Sequence, residues 1–166
     1  MEKATLDRLI TEWLARAHRD GPDAARTEWR TQGVALLQLG DRFSAVRIPE
    51  RYIHAALGTT DPAEIADRLA ARLQGPVIRD SLAVGVPYYA LIQAHAGLVW
   101  DSGEDTPCLG DGTHLGVPRL GQISPPGTYW LVPPRYDGDL CRPEHVQRLV
   151  RDARAVVAAE LAEVEA

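Results

Sequence analysis

Residues able to do chemistry are concentrated between Pro107 and Pro134, PCLGDGTHLGVPRLGQISPPGTYWLVPP. Cys108 and His114 lie there, and Cys141 and His145 follow in the next segment. Two sulfurs and two imidazoles are a tetrahedral zinc set in principle. The spacings are C-x5-H and C-x3-H, without the tight C-x2-C knuckle, so no structural zinc is expected. Asp101, Glu104, Asp105 and Asp111, with His114, offer hard oxygen ligands for magnesium or manganese and phosphoryl chemistry. The first three share one polar loop, DSGED, whose expected state is solvated. Gly110-Asp111-Gly112 lacks the later glycine of a dinucleotide fingerprint and the Gly-Lys-Ser/Thr of a phosphate loop, and reads as a turn. Arg47, Arg51 and Arg119, with His114 and Trp130, could line an anion or base-stacking pocket. The residues expected to form a binding rim are Asp111, His114, Arg119 and Trp130. No catalytic residue, metal ligand or cofactor is expected.

The totals narrow the class. A chain of 166 residues with 45% hydrophobic and 25% charged residues is expected to fold as one soluble globular domain with a proper core. Its divisions are expected at 1–32 (a helical hairpin), 33–135 (the core) and 143–164 (a last helix). Leu82 to Trp100 is the longest uncharged apolar stretch, but glycine, proline, glutamine and histidine interrupt it, so no membrane helix is expected. Charged residues crowd the start and no signal peptide is read there. Two distant cysteines imply no disulfide framework, which makes the cytoplasm the default location. A net charge of −5 disfavours a general nucleic-acid binder without excluding a local basic face. Lysine occurs once while Ala, Arg, Leu, Gly and Pro abound, which suggests a GC-rich bacterial genome.

The elements that must position these residues follow from periodicity. Leu6, Leu9, Ile10, Trp13, Leu14 and Ala17 have helical spacing over 4–18. Pro22 opens a second helix that ends near Gly33. Val34–Leu39 and Arg42–Ile48 flank Gly40-Asp41 and read as a hairpin with a two-residue turn. The first of these strands is apolar on both faces, which predicts an interior position. A helix from Pro49 stops at Gly58; the next opens on a capping box, Asp61 to Glu64, and closes at Gly75. Strands are predicted at 76–79, 86–93, 98–100, 113–117 and 128–132, with a turn at 94–97. Pro143 opens the last helix, whose stripe runs Val146, Leu149, Val150, Ala153, Val157, Leu161 and Val164. The class is therefore α+β: a mixed or antiparallel sheet of five to seven short strands with helices on one side. That last stripe outruns what a small sheet would cover, so a homodimer through a terminal helix is expected.

With the strands in place, GVALLQLGDRFSAVRIPERYIHAAL, GPVIRD, VPYYALI and LGDGTHLGVP…PPGTYWLVPP resemble the small primase/polymerase-like proteins of actinobacteria. These are similar to the N-terminal part of bifunctional DNA primase/polymerases in the archaeo-eukaryotic primase superfamily. The likeness covers roughly residues 30–135 and is one of pattern and spacing. It implies an RRM-like sheet core with flanking helices. In that family an acidic-x-acidic pair at a core strand end holds two metals. Here the strand end reads Leu39-Gly40-Asp41-Arg42 and has no such pair, and Gly112-Thr113-His114 stands where a histidine motif could fall. The resemblance thus implies a scaffold without polymerase chemistry, on which binding of a nucleotide or a single strand to the sheet could survive. Two other classes stay open: a protein-interaction or regulatory module, and a metal-dependent enzyme using Asp111, His114 and the acidic loop.

Overall fold

The structure, a computed structural model, describes residues 2–165. In chain order its elements are α1 (Lys3–Ala15), α2 (Pro22–Gln32), β1 (Val34–Gln38), β2 (Phe43–Ile48), α3 (Glu50–Leu57) and α4 (Pro62–Leu73). Then come β3 (Val77–Asp80), β4 (Tyr88–Gln93), a 3-10 helix (Ala94–Val99), β5 (Cys108–Leu109), β6 (His114–Pro118), β7 (Thr128–Val132) and α5 (Pro143–Glu165). The fold is α+β, with antiparallel sheets flanked by helices and a long last helix. Among the described residues, no helix is long and apolar enough to cross a membrane.

Five strands form one sheet in the order β5-β2-β4-β3-β7, and β1 pairs with β6 in a separate ribbon. This corrects the expected hairpin. Gly40 and Asp41 do turn the chain, with the Gly40 amide bonded to the Phe43 carbonyl at 2.8 Å. The strands on either side part company, because Val34 pairs with Pro118 while Phe43 pairs with Gln93. Nor is β1 interior: Ala35 and Leu37 are fully buried while Leu36 is 55% exposed. A two-stranded ribbon lying on a core has one wet face, so the strand alternates.

Side chains of the five-stranded sheet alternate between two cores. In β4, Tyr88, Ala90 and Ile92 pack with α3, α4 and α5 on one face. Leu91, with Phe43, Ala45, Ile78 and Trp130, packs with α1, α2, β1 and β6 on the other. Helices therefore cover both faces, not one. Each fully buried aliphatic residue, such as Leu69 or Leu73, contributes about 1.5–3 kcal/mol relative to exposure. Leu131 lies in a bulge, since Val77 faces Val132 while Ile78 faces Trp130.

Local rules explain most boundaries. The Asp61 carboxylate accepts from the Glu64 amide at 3.1 Å, as a cap should. Glu64 reaches the Thr59 hydroxyl at 2.7 Å instead of the Asp61 amide, so the box is only half closed. The left-handed residue ending α4 is Gln74, φ 52°, not Gly75. Gly75 serves a close approach: a β-carbon there would sit 2.3 Å from the Cys141 amide nitrogen. Strand β4 starts two residues late because Val86, φ 43°, belongs to a turn closed by its amide and the Ala83 carbonyl. Leu98 and Val99, expected in a strand, end the 3-10 helix and are 86% and 80% exposed.

Candidate functional site

A cavity of about 600 Å³ lies where three segments meet at the β5 edge of the sheet. Gly40, Asp41 and Ser44 form one wall, Ala94, His95, Gly97 and Leu98 the second, and Cys108, Gly110 and Asp111 the third. Backbone bonds hold the walls. The Leu39 amide donates to the Thr113 carbonyl at 3.0 Å, and the Thr113 amide to the Gly110 carbonyl at 3.0 Å. Gly40, φ 97°, is so close to the third wall that a β-carbon would lie 2.3 Å from the Asp111 amide nitrogen. Gly97 makes a looser approach on the opposite side, where a β-carbon would lie 3.1 Å from Cys108 Sγ. Fixed loops on a sheet edge are where binding sites commonly occur.

Its chemistry follows from burial and hydrogen bonding. Ser44 is fully buried, and its hydroxyl donates to the Ala94 carbonyl at 3.0 Å. Burial pushes the Cys108 thiol up, against a smaller downward effect from Ser44, so the sulfur stays protonated near neutral pH. Neither group is an activated nucleophile. Asp41, His95 and Asp111 form an exposed rim, and no Lys or Arg lines the cavity. Among the described residues, no group of three or more His, Cys, Asp or Glu side chains is placed to hold a metal ion.

The residues expected to form a rim do not share one site. Asp111 lines the cavity. His114 starts β6 opposite Gln38 and is exposed outside the lining. Arg119 follows the other end of β6, where its amide bonds the Gly33 carbonyl at 2.9 Å. Trp130 is 0% exposed, and its Nε1 donates to the Pro118 carbonyl at 3.0 Å. It is a core residue and has no face free for stacking, because its place opposite Ile78 points it into the second core. Arg47 approaches the Val84 carbonyl at 3.4 Å while Arg51 covers the Tyr52 ring, so the arginine pocket is not assembled either.

The other constellations are also redistributed. Cys141 is 1% exposed with Sγ 3.4 Å from the Pro76 carbonyl, and His145 lies in the first turn of α5. The DSGED loop is not simply solvated. Asp105 accepts from the Tyr52 hydroxyl and from Arg154 at 2.6 Å, and Thr106 beside it is fully buried.

Sequence reasoning missed Ser44 and His95 in the cavity, and a partly buried polar cluster of Glu50, Arg79, Tyr88 and Tyr129. Arg79 carried a signal: it falls two residues after Val77 and shares its inward face. No family model, no curated protein and no solved structure matches this chain.

Proposed function

We propose that this protein acts by binding, without catalysis, on a scaffold resembling the primase/polymerase-like domain, with its ligand in the cavity bounded by Asp41, His95 and Asp111. The observation that carries this is the cavity itself. Its size falls within the ≈ 300–1,000 Å³ of small-molecule sites, and its hydroxyl and thiol are bonded or protonated, not activated. Two rim carboxylates without a lining cation suit a neutral or cationic ligand better than a triphosphate or a phosphodiester strand. Within a nucleotide-binding role, the uncharged nucleoside is the part this cavity favours. Both cysteines are free thiols, which supports a cytoplasmic setting.

The test has two arms. Nucleotide incorporation on a primed template with manganese should stay at background. Activity that vanishes in Asp111→Ala and His114→Ala would overturn the non-catalytic reading. In the second arm, nucleosides and small amines should raise the melting temperature at millimolar concentration while triphosphates do not. Asp41→Asn with Asp111→Asn should abolish the amine response.

A second reading, a homodimer or protein-interaction module, is favoured by the end of α5. Ala153 is its last buried residue, and Val156, Leu161 and Val164 are 37%, 58% and 83% exposed. Light scattering at micromolar concentration should then report a dimer that Leu161→Glu with Val164→Glu converts to a monomer.

A further inference from the structure

Arg79 stands beside core residues: Val77 is 1% exposed and Ile78 0%. Its Nη2 donates to Glu50 Oε2 at 2.9 Å, Nε to the same oxygen at 3.3 Å, and Nη1 to the Tyr129 hydroxyl at 2.9 Å. The Tyr88 hydroxyl also donates to Glu50 Oε2, at 3.4 Å. The guanidinium sits 5.6 and 5.9 Å from the Tyr88 and Tyr129 ring centroids. Beside this pair is a chamber of about 120 Å³ with apolar walls from Pro62, Ile65 and Leu131. His54 and Thr60 line this chamber and also an outer groove of about 730 Å³, so the two spaces adjoin at these residues.

Counting donors and acceptors defines what the chamber lacks. A guanidinium has five N–H groups and three are engaged here. The Tyr129 hydroxyl accepts from Arg79 and keeps its own proton to give. Glu50 Oε2 takes three donors, while Oε1 has no partner among the described residues. The lining residues thus keep two guanidinium N–H groups, the Tyr129 O–H and Glu50 Oε1 without a partner among the described residues, on a pair whose charges cancel. An anion would meet the Glu50 carboxylate and a cation the Arg79 guanidinium, each in a partly dehydrated space where like charges repel strongly. A neutral group with one C=O and one N–H₂ satisfies both sides.

We propose that this chamber is a binding site for a ligand bearing a primary carboxamide, whose remaining atoms lie in the outer groove. The site is separate from the Asp41–Asp111 cavity and does not rest on the function proposed for it. The test titrates the full-length, ¹⁵N-labelled protein with propionamide, propionate and propylammonium. Propionamide should shift the amide resonances of His54, Thr60, Arg79 and Leu131 saturably. A probe of five heavy atoms should do so in the millimolar range, on the order of 4 kcal/mol of binding. The anion and the cation should give no saturable shift at these residues. Tyr129→Phe, which keeps the ring, should raise the propionamide midpoint about fivefold, the loss of one hydrogen bond, and Asp111→Asn should leave it unchanged. Propionate binding as well as propionamide, or no saturable propionamide response in the unaltered protein, would overturn the proposal.

Discussion

Gly40 and Asp111 touch through their backbones, and no side chain fits between them: a β-carbon on Gly40 would lie 2.3 Å from the Asp111 amide nitrogen and 2.5 Å from its Cα. This contact joins the turn after β1 to the segment between β5 and β6, and so fixes the width of the candidate cavity. Gly40→Ala should cost on the order of 2–4 kcal/mol, from positive-φ strain plus overlap with backbone that cannot yield. Gly112, φ 86°, has no atom within 4 Å of such a β-carbon. Gly112→Ala should therefore show the strain alone, about 1 kcal/mol. Urea midpoints of the two variants measure the difference. Equal losses would show that the contact is not tight.

Acid should loosen the DSGED loop, 101–105, where Asp105 ties it to Tyr52 of α3 and Arg154 of α5. Burial raises the Asp105 carboxyl, but hydrogen bonds from Tyr52 and Arg154 outweigh it and hold the group below its usual range. A carboxylate whose folded-state pKa is depressed adds stability that is present above its unfolded value. That stability is lost as pH falls through the folded value, hence below the ordinary Asp range of about 4. Asp105→Asn should flatten this part of the stability-versus-pH profile. Glu28 works in the same direction, held down first by the Leu36 amide and then by His18, with burial opposing. The double variant should be flatter still.

The two thiols should differ in reactivity. Cys108 is half-buried, and Cys141 is 1% exposed with its thiol pushed far up, chiefly by burial. Iodoacetamide at pH 8 should label Cys108 slowly and leave Cys141 unmodified until the protein is unfolded, as read by peptide mass spectrometry. Rapid labelling of Cys141 in the folded protein would contradict its place in the core.

Removing Arg79 alone should be worse than removing the whole pair. Arg79→Met strands the Glu50 carboxylate, whose side chain is only 26% exposed. The expected loss is about 3 kcal/mol, near the low end for a broken buried pair because some solvent reaches it. Adding Glu50→Met should restore about half of it, since two apolar side chains need no partner. Thermal unfolding of the single and double variants decides, and an additive double variant would show that the pair is not coupled.

Local rules wrote much of this fold into the sequence. The Asp61 cap, the left-handed glycines Gly33 and Gly58, and the stripe from Val146 to Ala153 were all legible. Each depends on residues within one or two turns, where side-chain spacing and backbone conformation act directly. The α+β class followed from the same short-range patterns.

Strand partnership was not legible. Val34 pairs with Pro118 and Phe43 with Gln93, and nothing near Gly40-Asp41 distinguishes that outcome from a hairpin. Tertiary burial decided it: both faces of the five-stranded sheet are apolar and each must be covered, so β1 leaves β2 to pair with β6 over the second core. The glycines of the 107–134 segment announced a tightly built region, and Asp111 does line a cavity there. Which residues meet at that cavity depends on contacts between segments about 70 residues apart, as with Gly40 and Asp111. Composition could not assign Trp130 to the core or to a ligand, because an aromatic ring suits both. Its strand register against Ile78, set by a bulge at Leu131, turned it inward.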